Sequence, residues 1–102
     1  MHIITRRRLN EYAILHPQTG ASLSAWYEVA RKSRWENLQE VRQSFPHADL
    51  ATVASRRSVT MFNIAGNHHR LITAIHYNTQ KIFILKLLTH AQYSKNHWEK
   101  LL

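Results

Sequence analysis

The sequence predicts an α+β fold, with helices gathered on one face of a mostly antiparallel sheet. Three observations carry this. Up to about residue 46, apolar residues recur at i, i+3, i+4 spacing, the period of an amphipathic helix. From residue 59 the texture changes to three β-branched and aromatic runs of strand length, "VTMFNI", "RLITAIHY" and "KIFILKLLTH". The linkers between those runs, "AGNHH" and "NTQ", are too short for a crossover, so the runs are antiparallel neighbours. The helical stripes need a sheet face to bury them, which gives the layered arrangement. The 102 residues suit a single domain over 1–102.

Each element follows from local signals. "HIIT", residues 2–5, reads as a short first strand at an edge. Thr5 is expected to cap a first helix, on which Leu9, Tyr12 and Ala13 form the stripe. Pro17 and Gly20 punctuate its end. A second helix is expected from Ser22 or Ser24, with Leu23, Trp26, Tyr27 and Ala30 facing the core and Arg31, Lys32 and Arg34 near its C-terminal end. A third carries Leu38, Val41 and Phe45 and stops at Pro46. Residues 46–58 lack periodicity and read as loop. After the three strands, the tail "AQYSKNHWEKLL" is expected to be partly helical. Trp26, Tyr27, Trp35 and Phe45 are expected in the core.

The charge balance narrows the partner. Lys plus Arg is 14 and Asp plus Glu is 6, a formal net charge of +8, with a pI near 10.5. Such a field attracts polyanions, nucleic acid before an anionic membrane or an acidic protein. No apolar run approaches the roughly 20 residues that cross a bilayer, and the N-terminus has the reverse order of a signal peptide, so a cytoplasmic location is expected. There is no cysteine, which excludes disulfides and thiolate metal sites.

Alternation along the strands sorts side chains by face. In the last strand Phe83, Leu85 and Leu87 form an all-apolar set, expected to meet the helices; Ile82, Ile84, Lys86, Leu88 and His90 form the other. In the middle strand Arg70, Ile72, Ala74 and His76 share a face. Arg70, Lys86 and His90 are therefore expected on one partly open surface, provided no bulge intervenes. Arg6, Arg7 and Arg8 fall in the first turn of a predicted helix, where cations oppose the helix dipole, a placement easier to understand if they bind phosphate. Arg56 and Arg57 are a weaker instance. With His69 and Lys95, these are the candidate RNA contacts. Asn63, Gly66 and Asn67 are assigned to the hairpin turn, Gly66 and Asn67 because both tolerate positive φ.

Several chemistries lack their residues. There is no HExxH, no Cys/His series, few carboxylates, and no glycine-rich phosphate loop, so neither a metal nor a nucleotide cofactor is expected. What remains is cations, imidazole and phenol. These suit RNA cleavage through the 2′-hydroxyl, where a base takes the 2′ proton, the oxygen attacks the phosphate, cations stabilise the phosphorane, and an acid protonates the leaving oxygen. DNA lacks that nucleophile.

The segments "MHIIT", "AWYEVARKSRWENLQEVRQSFPHAD", "FNIAGNHHRLI" and "LTHAQY" resemble the HigB-type toxins of the RelE/ParE-like superfamily, in order and along nearly the whole chain. The resemblance implies a RelE-like fold and a metal-independent mRNA interferase that cuts messages on the translating ribosome. It also implies a helix-turn-helix antitoxin of the HigA type as partner, with operator DNA bound only through that antitoxin and no membrane. By motif it points to Asn63, Gly66, Asn67 and Arg70, to Lys86, and to His90 and Tyr93. Arg70 and Lys86 would hold the scissile phosphate, His90 would move protons, and Tyr93 would donate a proton or stack on a base. Ala65 departs from a common second glycine, and Gln92 and Ser94 stand where acidic residues are frequent. A non-catalytic RNA- or ribosome-binding module, and a toxin of this fold directed at DNA gyrase, also fit the sequence.

Overall fold

The structure is a computed structural model describing residues 1–95 and 97–102, with the backbone alone at Leu101. Its framework is one five-stranded sheet in the order β1-β5-β4-β3-β2. Strand β1 (His2–Ile4) lies at an edge, parallel to β5 (Lys81–Thr89), with Ile3 opposite Ile82. All other neighbours are antiparallel. The α+β arrangement expected from the sequence is the one observed.

The chain reverses between β1 and α1 (Arg7–Leu15) in two residues. Thr5 does not cap the helix: it adopts φ 69°, and no side chain caps Arg6. A reversal this tight calls for a left-handed residue, and the backbone closes it through Arg8 N–H to Thr5 O (3.0 Å) and Leu9 N–H to Arg6 O (2.9 Å). Helix α2 (Gly20–Lys32) begins before Ser22 and Ser24, because a 3₁₀ turn at Pro17–Thr19 runs straight into it. Pro17 sits at the start of that turn, where a missing N–H costs nothing. Ser22 is thereby freed for another partner: its Oγ accepts the Ala65 N–H at 3.0 Å. Helix α3 (Leu38–Ser44) starts at Asn37, whose side chain accepts from Glu40 N–H at 3.0 Å.

The helical layer buries Leu9, Leu23, Trp26, Ala30, Trp35 and Val41 against Phe62, Ile64, Leu71, Ile82 and Ile84 of the sheet. Phe62 is the hub, with Trp26 and Phe45 edge-on at 5.3 and 5.2 Å between ring centroids. Tyr27 and Phe45 pack at the margin of this core, as their helical spacing predicted.

Residues 46–58 are not all loop. Strand β2 (Asp49–Thr52) pairs with β3 (Ser58–Ile64), Asp49 opposite Met61. It is a four-residue edge strand with mostly exposed side chains, so it carries no hydrophobic alternation to reveal it. Strand β4 (His69–His76) follows β3 through a four-residue turn, residues 65–68. It joins β5 through a 3₁₀ turn, Tyr77–Thr79, and left-handed Gln80 (φ 56°), whose amide donates to Trp35 O at 2.7 Å.

Two features reshape the far face of the sheet. The β4–β5 pairing runs Ile72 to Lys86 and then Thr73 to Ile84, so Leu85 is bulged out of register. Ahead of the bulge the expected faces are reversed: Ile82 and Ile84 enter the helix-side core, and Leu85 packs on the far side. Beyond it they hold, with Leu87 toward the helices and Lys86 and Leu88 away from them. Second, the far face is open only in part, because the tail folds across it. Helix α4 (His90–Ser94) and a 3₁₀ turn, His97–Leu101, bring Trp98 (3% exposed) onto Val53, Val59, Met61 and Ile72 to make a second core. The tail is therefore helical at both described ends; Asn96 lies outside the described residues.

Candidate functional site

The far face carries the cations at the end of the sheet near the β3–β4 turn. Arg70 pairs with Asn63 on one side and Leu88 on the other, and Lys86 pairs with Ile72. Paired residues share a face, so Asn63, Arg70, Lys86 and Leu88 all project from the far face. Arg70 and Lys86 are diagonal neighbours there, their Cβ atoms roughly 7 Å apart in ladder geometry. The bulge at Leu85 is what aims Lys86 this way.

Arg70 is held on several sides. One terminal guanidinium nitrogen donates to Asn67 O and His69 O, both at 3.2 Å, and the other donates to Asn67 Oδ1. The guanidinium also lies over the Tyr93 ring, 5.1 Å from its centroid. Tyr93 in turn stacks on Trp98 at 5.5 Å, and its hydroxyl donates to Met61 Sδ at 3.2 Å, toward the second core. Its position is that of a residue packing the tail onto the sheet.

His90 is the first residue of α4 and not the last of β5, and its side chain is exposed. Its backbone N–H donates to His68 O at 2.8 Å, which ties α4 to the β3–β4 turn. Thr89 and Gln92 close a capping box that starts the helix at this residue. Gln92 thus has a structural employment that a carboxylate could also fill. Ser94 Oγ donates to His90 O at 2.9 Å and stands 3.4 Å from the imidazole Nδ1.

The turn itself corrects two expectations. Its left-handed residues are Ala65 (φ 52°) and Gly66 (φ 70°); Asn67 is not among them, and its value lies in the acceptors it offers Arg70. The position where a second glycine is common is thus one whose backbone favours glycine. Asn63 belongs to β3 rather than to the turn, and among the described residues its side chain makes no hydrogen bond into it.

The remaining basic candidates disperse. His69 points to the helix side and is only 4% exposed, which removes it from any RNA-facing surface in this conformation. Tyr12 OH stands 2.7 Å from its Nδ1, and Gln18 Nε2 3.4 Å from its Nε2. Burial first, then His16 and His68, pushes its pKa below the ordinary histidine value. Arg6, Arg7 and Arg8 form no cluster. Arg6 lies over the Tyr27 ring at 4.1 Å, Arg7 pairs with Glu11 at 3.4 Å, and Arg8 donates to Leu85 O at the bulge. Arg56 and Arg57 are exposed in the β2–β3 turn, roughly 20 Å along β3 from Asn63, at the opposite end of the sheet. Lys95 is exposed just after α4. Among the described residues, no three His, Asp or Glu side chains group to hold a metal ion, and no helix is long and apolar enough to cross a membrane.

Sequence reasoning missed the Asn67 clamp, Ser22 as anchor of the turn, and Trp98 as a core residue. The capping box had a visible signal, Thr89-x-x-Gln92, at the boundary of a strand and a polar tail.

A single mostly antiparallel sheet with its three long helical segments on one face, and a basic patch beside a tight hairpin on the other, defines the class as an α+β protein of RelE-like fold. Residues 19–96 match the HigB toxin family, the RelE-like toxic component of a toxin-antitoxin system, and the chain belongs to that family. A cognate antitoxin is therefore its partner. The chain is similar to the mRNA interferase HigB of Escherichia coli O6:H1 strain CFT073, 27% identical over 95 residues, covering 93% of this chain and 90% of the relative. It is also similar to the mRNA interferase toxin HigB of Escherichia coli K12 and the mRNA interferase HigB of Shigella flexneri. Each is 28% identical over 93 residues, covering 91% of this chain and 88% of the relative.

Proposed function

We propose that this toxin is a ribosome-dependent endoribonuclease that cuts mRNA through 2′-hydroxyl attack and so arrests translation. The observation that carries the reading is the pair Arg70 and Lys86 on one face of the sheet, with exposed His90 at its rim. The relatives named mRNA interferases support it. The 2′ oxygen bonds to phosphorus as its proton passes to a base, and the P–O5′ bond breaks as that oxygen is protonated. The products are a 2′,3′-cyclic phosphate and a 5′-hydroxyl. Arg70 and Lys86 neutralise the charge that grows on the phosphorane, which is worth most in a site already oriented for it. His90 carries one of the two proton transfers, for which an imidazole is suited near neutral pH. Tyr93 serves the site through its ring, beneath Arg70. The cognate antitoxin is of the helix-turn-helix, HigA type, and the toxin reaches operator DNA only through it.

The test is to map transcript ends in a translation reaction given the antitoxin-free toxin. New 5′-hydroxyl ends are expected within translated regions, and His90→Ala is expected to lower their rate of formation about 100-fold or more with an unchanged circular dichroism spectrum. Cleavage that survives this substitution removes His90 from the chemistry. Arrested translation with intact transcripts makes the protein a non-catalytic ribosome binder, and DNA damage with intact transcripts points to gyrase.

A further inference from the structure

We propose that Asn67 is a positioning residue that fixes the Arg70 guanidinium and leaves one of its edges free for a phosphate. The inference rests on Arg70 contacting the scissile phosphate, as proposed above. A guanidinium has five N–H donors. Those of Arg70 that point back toward the turn are taken up: one terminal nitrogen by Asn67 O and His69 O, the other in part by Asn67 Oδ1. The Tyr93 ring covers one flat side of the group. The donors left over are Nε–H, which no described residue accepts, and one N–H of the second terminal nitrogen. These two lie side by side along a single edge, in the spacing that grips two oxygens of a phosphate.

Asn67 is suited to this by its place. It stands three residues before Arg70, where the left-handed pair Ala65–Gly66 turns its backbone carbonyl and its short side chain toward the strand. The turn is anchored at both flanks, through Ala65 N–H to Ser22 Oγ at 3.0 Å and through His90 N–H to His68 O at 2.8 Å. A clamp on this turn therefore sets Arg70 relative to the start of α4 as well as to the sheet. Without the Oδ1 contact, half-buried Arg70 keeps only two carbonyls and the Tyr93 ring, samples more rotamers and meets the phosphate in fewer of them.

Two measurements test the clamp. In ¹⁵N relaxation of the arginine Nε groups, Arg70 is expected to be ordered in the wild type, less ordered in Asn67→Ala, which removes Oδ1 but keeps the two carbonyl acceptors, and ordered again in Asn67→Asp, which keeps an acceptor at the same reach. In single-turnover cleavage of a translated message, Asn67→Ala is expected to slow the reaction about tenfold or more. The Asn67→Ala/Arg70→Ala double variant is expected to match Arg70→Ala alone. An Arg70 Nε as rigid in Asn67→Ala as in the wild type, or no recovery in Asn67→Asp, overturns the clamp. So does an Asn67→Ala penalty of full size in the Arg70→Ala background, since a residue needed only for the turn would behave that way. If Arg70→Ala itself cleaves normally, the phosphate role of Arg70 fails instead, and the relaxation data alone decide the clamp.

Discussion

His69 and Arg70 leave β4 in opposite directions and into opposite environments. Arg70 stays at the surface with its charge fixed by the turn, while His69 is sealed against Tyr12 and Gln18 under the helices. The adjacent "HH" drew attention in the sequence as a cationic feature, yet burial first, and then His16 and His68, lower the pKa of its second member and favour its neutral form. A folded-state pKa below the ordinary histidine value of 6.5 means that the unfolded chain binds this proton more readily. The stability that neutral His69 contributes is full above that value and is lost as pH falls below it. Thermal melts are therefore expected to show a lower Tm at pH 5.5 than at pH 7.5, with a shallower slope in His69→Gln. An equal slope in that variant would assign the acid sensitivity elsewhere.

At the scale of elements, the tail is the part whose energetic importance the sequence disclosed least. Trp98 lies among Asn, His, Glu and Lys, a stretch with no clean period, but its ring is buried and stacked on Tyr93, and its Nε1–H donates to Tyr93 O at 3.2 Å. Trp98→Ala is expected to cost about 3 kcal/mol or more in urea denaturation, the range for emptying a buried tryptophan site. A loss below about 1 kcal/mol would mean that the tail only rests on the sheet. The helices were legible from their apolar stripes, and the three antiparallel strands from β-branched and aromatic runs joined by short linkers, since β3 is buried on both faces and β5 breaks its period. Strand β2 was not, having few buried side chains, and neither was the start of α2, because a 3₁₀ turn hides the boundary that Ser22 seemed to mark. The face shared by Arg70 and Lys86 was read correctly, whereas the faces of Ile82 and Ile84 were not; a single out-of-register residue between them accounts for both results.

Over the whole molecule, a net charge of +8 is spread unevenly in its consequences. Arg6, Arg7 and Arg8 are spent on a ring, a carboxylate and a carbonyl, and Arg56–Arg57 sit at the far end of the sheet, so general attraction and local contact are separable. Binding of single-stranded RNA is expected to weaken with salt, the log–log slope changing by about 0.7 for each phosphate contact. Lys86→Ala should reduce that slope by about this amount, measured by filter binding across a salt series. An unchanged slope would mean that Lys86 touches no phosphate. The bulge at Leu85 has a consequence of another kind. It is a phase boundary inside one strand: on one side of it even-numbered residues build the main core, and on the other they project from the far face. Deleting Leu85 would join Ile84 to Lys86 in ordinary alternation and leave both faces as they are. Keeping the residue but drawing it into the ladder would bring the two halves into one phase, either burying a lysine among the helices or turning Ile82 and Ile84 out of the core. The strand therefore carries one residue more than its pairing needs, and only as a bulge can it do so with Lys86 outside the core.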